Sequence, residues 1–122
     1  MQVVIVEPKK KPTVQNIDDG LEAMQKIVGG TIQAIYPFDE PIALICNDEG
    51  KFLNLPLNRA LRDNARCVYD IVAGTFFLCA APTEKDNFAS LTEEQTQTCL
   101  KRFAVPEQFI QVGDAVFVLP AP

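Results

Sequence analysis

Apolar positions along this chain switch between a period of two and a period near 3.6, and the switches divide it into elements. Gln2 to Val6 is a nearly continuous apolar run that reads as a strand, ended by Glu7-Pro8 and the basic stretch Lys9-Lys10-Lys11-Pro12. Lysine and proline at such a place discourage pairing of an exposed sheet edge, although the same run is open to contact with an anionic partner. Thr13 to Ile17 reads as a short extended return. Leu21, Met24, Ile27 and Val28 then share one helical face, with Glu22, Gln25 and Lys26 on the other. Asp19-Gly20-Leu21-Glu22 predicts a capping box at the start of this helix, and Gly29-Gly30 predicts its end.

Thr31 to Tyr36 reads as a strand stopped by Pro37, and Pro41 to Cys46 as a strand buried on both faces. Asn47-Asp48-Glu49-Gly50 predicts a hairpin turn, with Lys51 to Leu55 returning as the partner strand. After Pro56, Asn58 is placed as an N-cap for one or two helical turns from Arg59 to about Asp63. Cys67 to Val72 and Thr75 to Ala80 read as strands, and Gly74 between them marks a bulge or a close backbone approach. Ser90-Leu91-Thr92-Glu93 predicts a second capping box, for a helix running to about Arg102. Its apolar face of Leu91, Cys99, Leu100 and Phe103 is thin, so it should lie on the surface. Pro106 is expected to start a short turn through Ile110, and Ala115 to Leu119 a last strand stopped by Pro120 and Pro122. The order predicts one α+β domain over residues 1–122. It has a mostly antiparallel sheet, two main helices and a short helical turn after Pro56.

A chain of 122 residues buries about two-thirds of its unfolded surface, and 48% hydrophobic content suits a folded domain. No apolar run approaches the roughly 20 residues of a membrane helix, and Met1 to Val6 lacks the basic start of a signal peptide. These features predict a cytoplasmic protein without membrane contact. The formal net charge of −5 argues against direct nucleic-acid binding, which favours a basic stripe. It leaves room for an acidic DNA mimic if the sixteen acids line one face; solubility is the simpler reason for them.

Cys46, Cys67, Cys79 and Cys99 form no C-x-x-C, and the chain has no histidine, so buried free thiols are expected and no metal site. Asp39, Glu40, Asp48 and Glu49 lack the spacing of a calcium loop and read as solvated turns. The absence of histidine removes Ser-His-Asp and Cys-His nucleophilic systems and the H-E-x-x-H metalloproteases. No phosphate loop or dinucleotide fingerprint occurs, so no cofactor is expected. Catalysis has no signature here, and the chain leans away from being an enzyme.

One stretch gathers the remaining chemistry. Leu53 to Arg62 carries Asn54, Asn58, Arg59 and Arg62, with Tyr69 nearby, and three of the four arginines fall between positions 59 and 66. Arginine offers a planar fork matched to carboxylate or phosphate, and asparagine a paired donor and acceptor. On a short helix Asn58 and Arg62 would be presented together. One reading is therefore a small anionic or nucleotide-like ligand held by Asn54, Asn58, Arg59 and Arg62, with Tyr69 stacking. The other is structural: Arg59 and Arg62 pair with Asp63 or Asp70, while Asn54 and Asn58 cap turns around Pro56.

The series Gly29-Gly30, Ile35-Tyr36-Pro37, Ala43-Leu44-Ile45-Cys46-Asn47, Glu49-Gly50-Lys51, Leu55 to Leu61 and Asp70 to Phe77 resembles an uncharacterised domain family. That family is found in bacteriophages, conjugative elements and Firmicutes-rich metagenomes, and the resemblance spans about residues 2 to 119. Asn64-Ala65-Arg66-Cys67 departs from the acidic or glycine-bearing turn of the pattern, which separates Arg66 from any family-wide role. The resemblance implies a small cytoplasmic protein of a mobile element and passes on no catalytic residue. The function expected is a non-catalytic binding module, countering host defence by taking a nucleotide-like signal or a host protein. The alternatives are an acidic DNA mimic and an enzyme of unknown activity. An exposed strand edge leaves room for a homo-oligomer.

Overall fold

The computed structural model describes residues 1–84 and 86–121. Its strands are β1 (Gln2–Val6), β2 (Thr13–Asn16), β3 (Ile32–Ile35), β4 (Ile42–Asn47), β5 (Leu57–Arg62), β6 (Val68–Ala73), β7 (Phe76–Ala80), β8 (Glu107–Val112) and β9 (Ala115–Pro120). The helices are α1 (Leu21–Val28) and α2 (Glu93–Arg102). Five strands form one antiparallel sheet in the order β2-β1-β7-β4-β3. The pairs β5–β6 and β8–β9 are separate antiparallel ribbons. Two helices with a dominant antiparallel sheet make the fold α+β, as the sequence predicts. No helix among the described residues is long and apolar enough to cross a membrane. Pro122, expected to help stop the last strand, lies outside the described residues.

The central strands β1, β7 and β4 are apolar on both faces because both faces are covered. Val3, Ile5, Ala43, Ile45, Phe77 and Cys79 pack under Met24 and Val28 of α1. Val4, Val6, Ile42, Leu44, Phe76 and Leu78 face the other way. There they meet Cys99 of α2, its C-cap Phe103, and Leu61 and Val72 of the β5–β6 ribbon. The Phe103 ring meets Phe76 edge-on at 5.2 Å, a favoured aromatic geometry. α2 is thus the surface helix its thin apolar face predicts, with that face closing one side of the core.

Several local expectations are overturned. Lys51 to Leu55 is no strand: residues 51–54 form tight turns, with Leu53 N–H donating to Glu49 and Leu55 N–H to Gly50. The outer neighbour of β4 is β3. The helical turn expected after Pro56 is instead β5, since pairing with β6 and burial of both faces outweigh the helix propensity of Leu, Arg and Ala. The turn expected from Pro106 to Ile110 is the start of β8. α1 begins at Gly20 without a side-chain cap, so Asp19 makes no capping box. α2 has the box two residues later than expected: Thr92 accepts from Gln95 N–H, and Gln95 returns a bond to the Thr92 N–H. Gly74 is the close approach foreseen, with φ of +82° and a Cβ there falling 2.8 Å from Leu55 Cδ1.

Candidate functional site

β5 is irregular, and its irregularities place the residues of interest. Leu57 pairs with Ala73 and Arg59 with Val72, so Asn58 is an extra residue in a bulge. Leu61 pairs with Asp70 and Arg62 with Val68, so Tyr69 is the extra residue on β6. Bulges re-aim side chains: Asn58 is sealed from solvent, while Tyr69 stands out at 57% exposure.

Asn58 and Arg59 are tied into the interior. Asn58 Nδ2 donates to the carbonyls of Val6 at 2.8 Å and Gly74 at 2.9 Å, joining β1 to the turn before β7. Its Oδ1 accepts from Arg59 Nη1 at 2.9 Å. Arg59, 1% exposed, makes four further contacts, all to backbone carbonyls: Nε and Nη2 to Phe103, Nη1 to Asn58, and Nη2 to Lys10 at 2.6 Å. The five contacts use all of its donors. Phe103 caps α2 at its C-terminus, where carbonyls lack helical partners and the helix dipole favours a cation. Burial lowers the pKa of the Arg59 guanidinium, and Glu107 opposes that shift. Neither side chain has a group left for a ligand.

Arg62 sits at the surface end of the same strand. Its Nη2 pairs with Glu107 Oε2 at 2.8 Å, and Glu107 Oε1 accepts the Ala60 N–H at 3.0 Å, so one carboxylate of β8 clips the unpaired edge of β5. Neither suggested partner of the arginines is used. Asp63 closes its own turn onto Ala65 and Cys67, and Asp70 pairs with Lys51 at 2.6 Å. Arg102, half-buried on the last turn of α2, lies over the Phe103 ring at 5.2 Å. Burial lowers its pKa first and neighbouring Arg62 second, with Glu107 and Tyr69 acting against them. Arg59, Arg62, Lys101, Arg102, Val105, Glu107, Val118 and Pro120 line a shallow depression of about 270 Å³. Four cations and one carboxylate therefore meet at one spot of a chain whose net charge is −5.

Of the residues singled out in the sequence, the structure brings Arg62 to this depression, with Tyr69 close enough to act on Arg102, and buries Arg59 at its edge and Asn58 behind it. Asn54 is elsewhere, exposed in the turn after β4 with φ of +54°, a conformation asparagine tolerates. Lys101, Arg102 and Glu107 were not among the candidates. Lys101-Arg102 reads from sequence only as a helix end, and Glu107 as part of a turn. The Gly113-Asp114 pair between two apolar runs was the available signal for the β8–β9 hairpin that carries Glu107.

A larger cavity, about 550 Å³, is also lined by Glu107, and Lys9 is the one cation of its lining. Cys46, Cys79 and Cys99 are the buried free thiols expected, with burial pushing their pKa up to about 11, 12 and 12. Cys67 departs from the expectation and is exposed. Among the described residues no group of three histidine, cysteine or carboxylate side chains is placed to hold a metal ion.

No curated protein and no solved structure matches the chain. A family match does exist, and it ends at residue 104, short of the span to about 119 that the resemblance suggested. The β5–β6 ribbon, Arg62 and all of α2 fall inside it, whereas the hairpin bearing Glu107 falls outside. The chain belongs to the DUF3846 family, a domain of unknown function, which matches residues 1–104.

Proposed function

We propose that this protein is a non-catalytic binding module that takes an anionic, nucleotide-like ligand at Arg62, Lys101 and Arg102. The observation that carries the reading is an excess of cations in one depression: Arg62, Lys101 and Arg102 share it with Glu107, the one carboxylate of its lining, which is already paired with Arg62. Burial and then Arg62 lower the pKa of Arg102, with Glu107 and Tyr69 acting against them. An excess of like charge is stabilised by an anion, and the guanidinium fork fits a phosphate or carboxylate. A depression of about 270 Å³ suits a phosphoryl or carboxylate group better than a whole nucleotide. Tyr69, exposed on the adjacent bulge, is available for a base to stack on. The resemblance to proteins of phages and conjugative elements supports a setting in a bacterial host cell, where a module of this kind counters host defence by sequestering a nucleotide-like signal.

The test is calorimetric titration of the full chain with ADP-ribose and with cyclic nucleotides. A saturable heat, lost in Arg102→Ala and retained in part in Arg102→Lys, is expected. Absence of heat with every nucleotide overturns the ligand assignment and transfers the reading to a host protein as partner.

A further inference from the structure

We infer that the β8–β9 hairpin is a self-association surface, and that two copies of this chain stack their hairpins face to face about a two-fold axis. The register divides the ribbon into two faces. Glu107, Phe109, Val118 and Pro120 stand on one, which is turned to the body at its base, where Glu107 is buried and Phe109 and Val118 are half-buried. Ile110, Val112, Phe117 and Leu119 stand on the other, exposed by 45%, 61%, 54% and 43%. A lone two-stranded ribbon is marginal in water, and this one has a second apolar face still to cover.

Area and charge favour a second copy as the cover. Phe117 alone leaves roughly 100 Å² to solvent, about half of an aromatic side chain. With the smaller Ile110, Val112 and Leu119 the face presents on the order of 350 Å² of apolar surface, within the size of functional surface patches. A standard interface takes about 800 Å² from each partner, of which about 57% is apolar, so the patch is of the size one subunit contributes. Between Gln108 and Leu119 the only charged residue is Asp114, which sits in the turn at the tip. Two chains of net charge −5 can therefore meet here without opposing carboxylates across the contact. A two-fold stack is isologous, so Phe117 and Ile110 of each copy reach the same patch on the other. Packed sheets of this kind lie about 10 Å apart. The surface lies beyond the family match and on the opposite face of the hairpin from Glu107, Val118 and Pro120, which line the anion site, so either assignment stands without the other.

Sedimentation velocity of the full chain over a range of concentration tests it. The native chain is expected to sediment as a dimer, twice 13.5 kDa, at tens of micromolar. Phe117→Glu is expected to be monomeric with an unchanged circular dichroism spectrum. Mixing Phe117→Glu with Phe117→Lys should restore the dimer, a result that loss of folding does not imitate. A native chain that stays monomeric at every concentration overturns the inference. So does a dimer that survives Phe117→Glu, since it uses another surface, or charge-swapped variants that fail to recombine.

Discussion

Arg59 is a buried cation with no carboxylate in its hydrogen bonds. Its charge is spread over three carbonyls and one amide oxygen, and Asn58 orients that amide by donating to Val6 and Gly74. The pair thus links β1, the Lys10 loop, the turn before β7 and the end of α2. Removing the donors at position 58 leaves two buried carbonyls unsatisfied, at a cost of about 2–3 kcal/mol. Asn58→Ala should lower stability by that amount in urea unfolding. Asn58→Asp keeps an acceptor for Arg59 but loses both donors and turns a carboxylate oxygen onto two carbonyls, so it should also lose stability at neutral pH; an Asn58→Asp chain as stable as the native one would contradict the assigned donor geometry. That these residues matter is legible in the sequence, in the density of asparagine and arginine around Pro56. Their direction is not, because it depends on a bulge set by the pairing with β6, and register across a ribbon leaves no mark in one strand's composition.

At the scale of elements, the apolar periodicity gave β1, α1, β4, β6, β7 and α2 close to their observed limits. β1, β4 and β7 are buried on both faces and are legible as unbroken apolar runs. β5 (Leu57–Arg62) is not, because buried Asn58 and Arg59 interrupt its run and its residues are good helix formers, so it reads as a helical turn. β8 is hidden by Pro106, which reads as the start of a turn, although the two-residue Gly113-Asp114 connection marks the hairpin. Capping also departs from the motif as spelled. Thr92→Ala should destabilise the chain by about 1 kcal/mol, since Thr92 accepts from the Gln95 N–H. Asp19→Ala should change stability little, since α1 starts at Gly20 without a side-chain bond. Thermal unfolding of the two variants side by side distinguishes the observed caps from the ones spelled in the sequence.

For the molecule as a whole, the core carries a titration of its own. Cys46, Cys79 and Cys99 ionise at about 11, 12 and 12 in the fold against 9.0 for a free thiol, because burial disfavours the thiolate. The folded values are raised, so this contribution is fully present below pH 9 and is lost as pH rises toward 11–12. The unfolded chain releases protons there that the folded chain retains. Urea midpoints should therefore fall steeply above pH 9, and Cys79→Ala should flatten that fall; a midpoint independent of pH between 8 and 10.5 would contradict the burial of these thiols.

Binding proposed at Arg62, Lys101 and Arg102 is separable from the hold that buried Asn58 and Arg59 have on the fold. The most direct measurement is thermal unfolding of the native chain, Arg102→Ala and Arg59→Ala, each with and without saturating ADP-ribose. A ligand-induced rise in Tm is expected for the native chain and none for Arg102→Ala, whose ligand-free Tm should fall less than that of Arg59→Ala because Arg102 is half-buried and Arg59 is 1% exposed. Arg59→Ala should lose much of its ligand-free stability, since it removes five hydrogen bonds made by a buried side chain. An Arg102→Ala chain that still gains stability from the ligand, or an Arg59→Ala chain as stable as the native one, would contradict that separation.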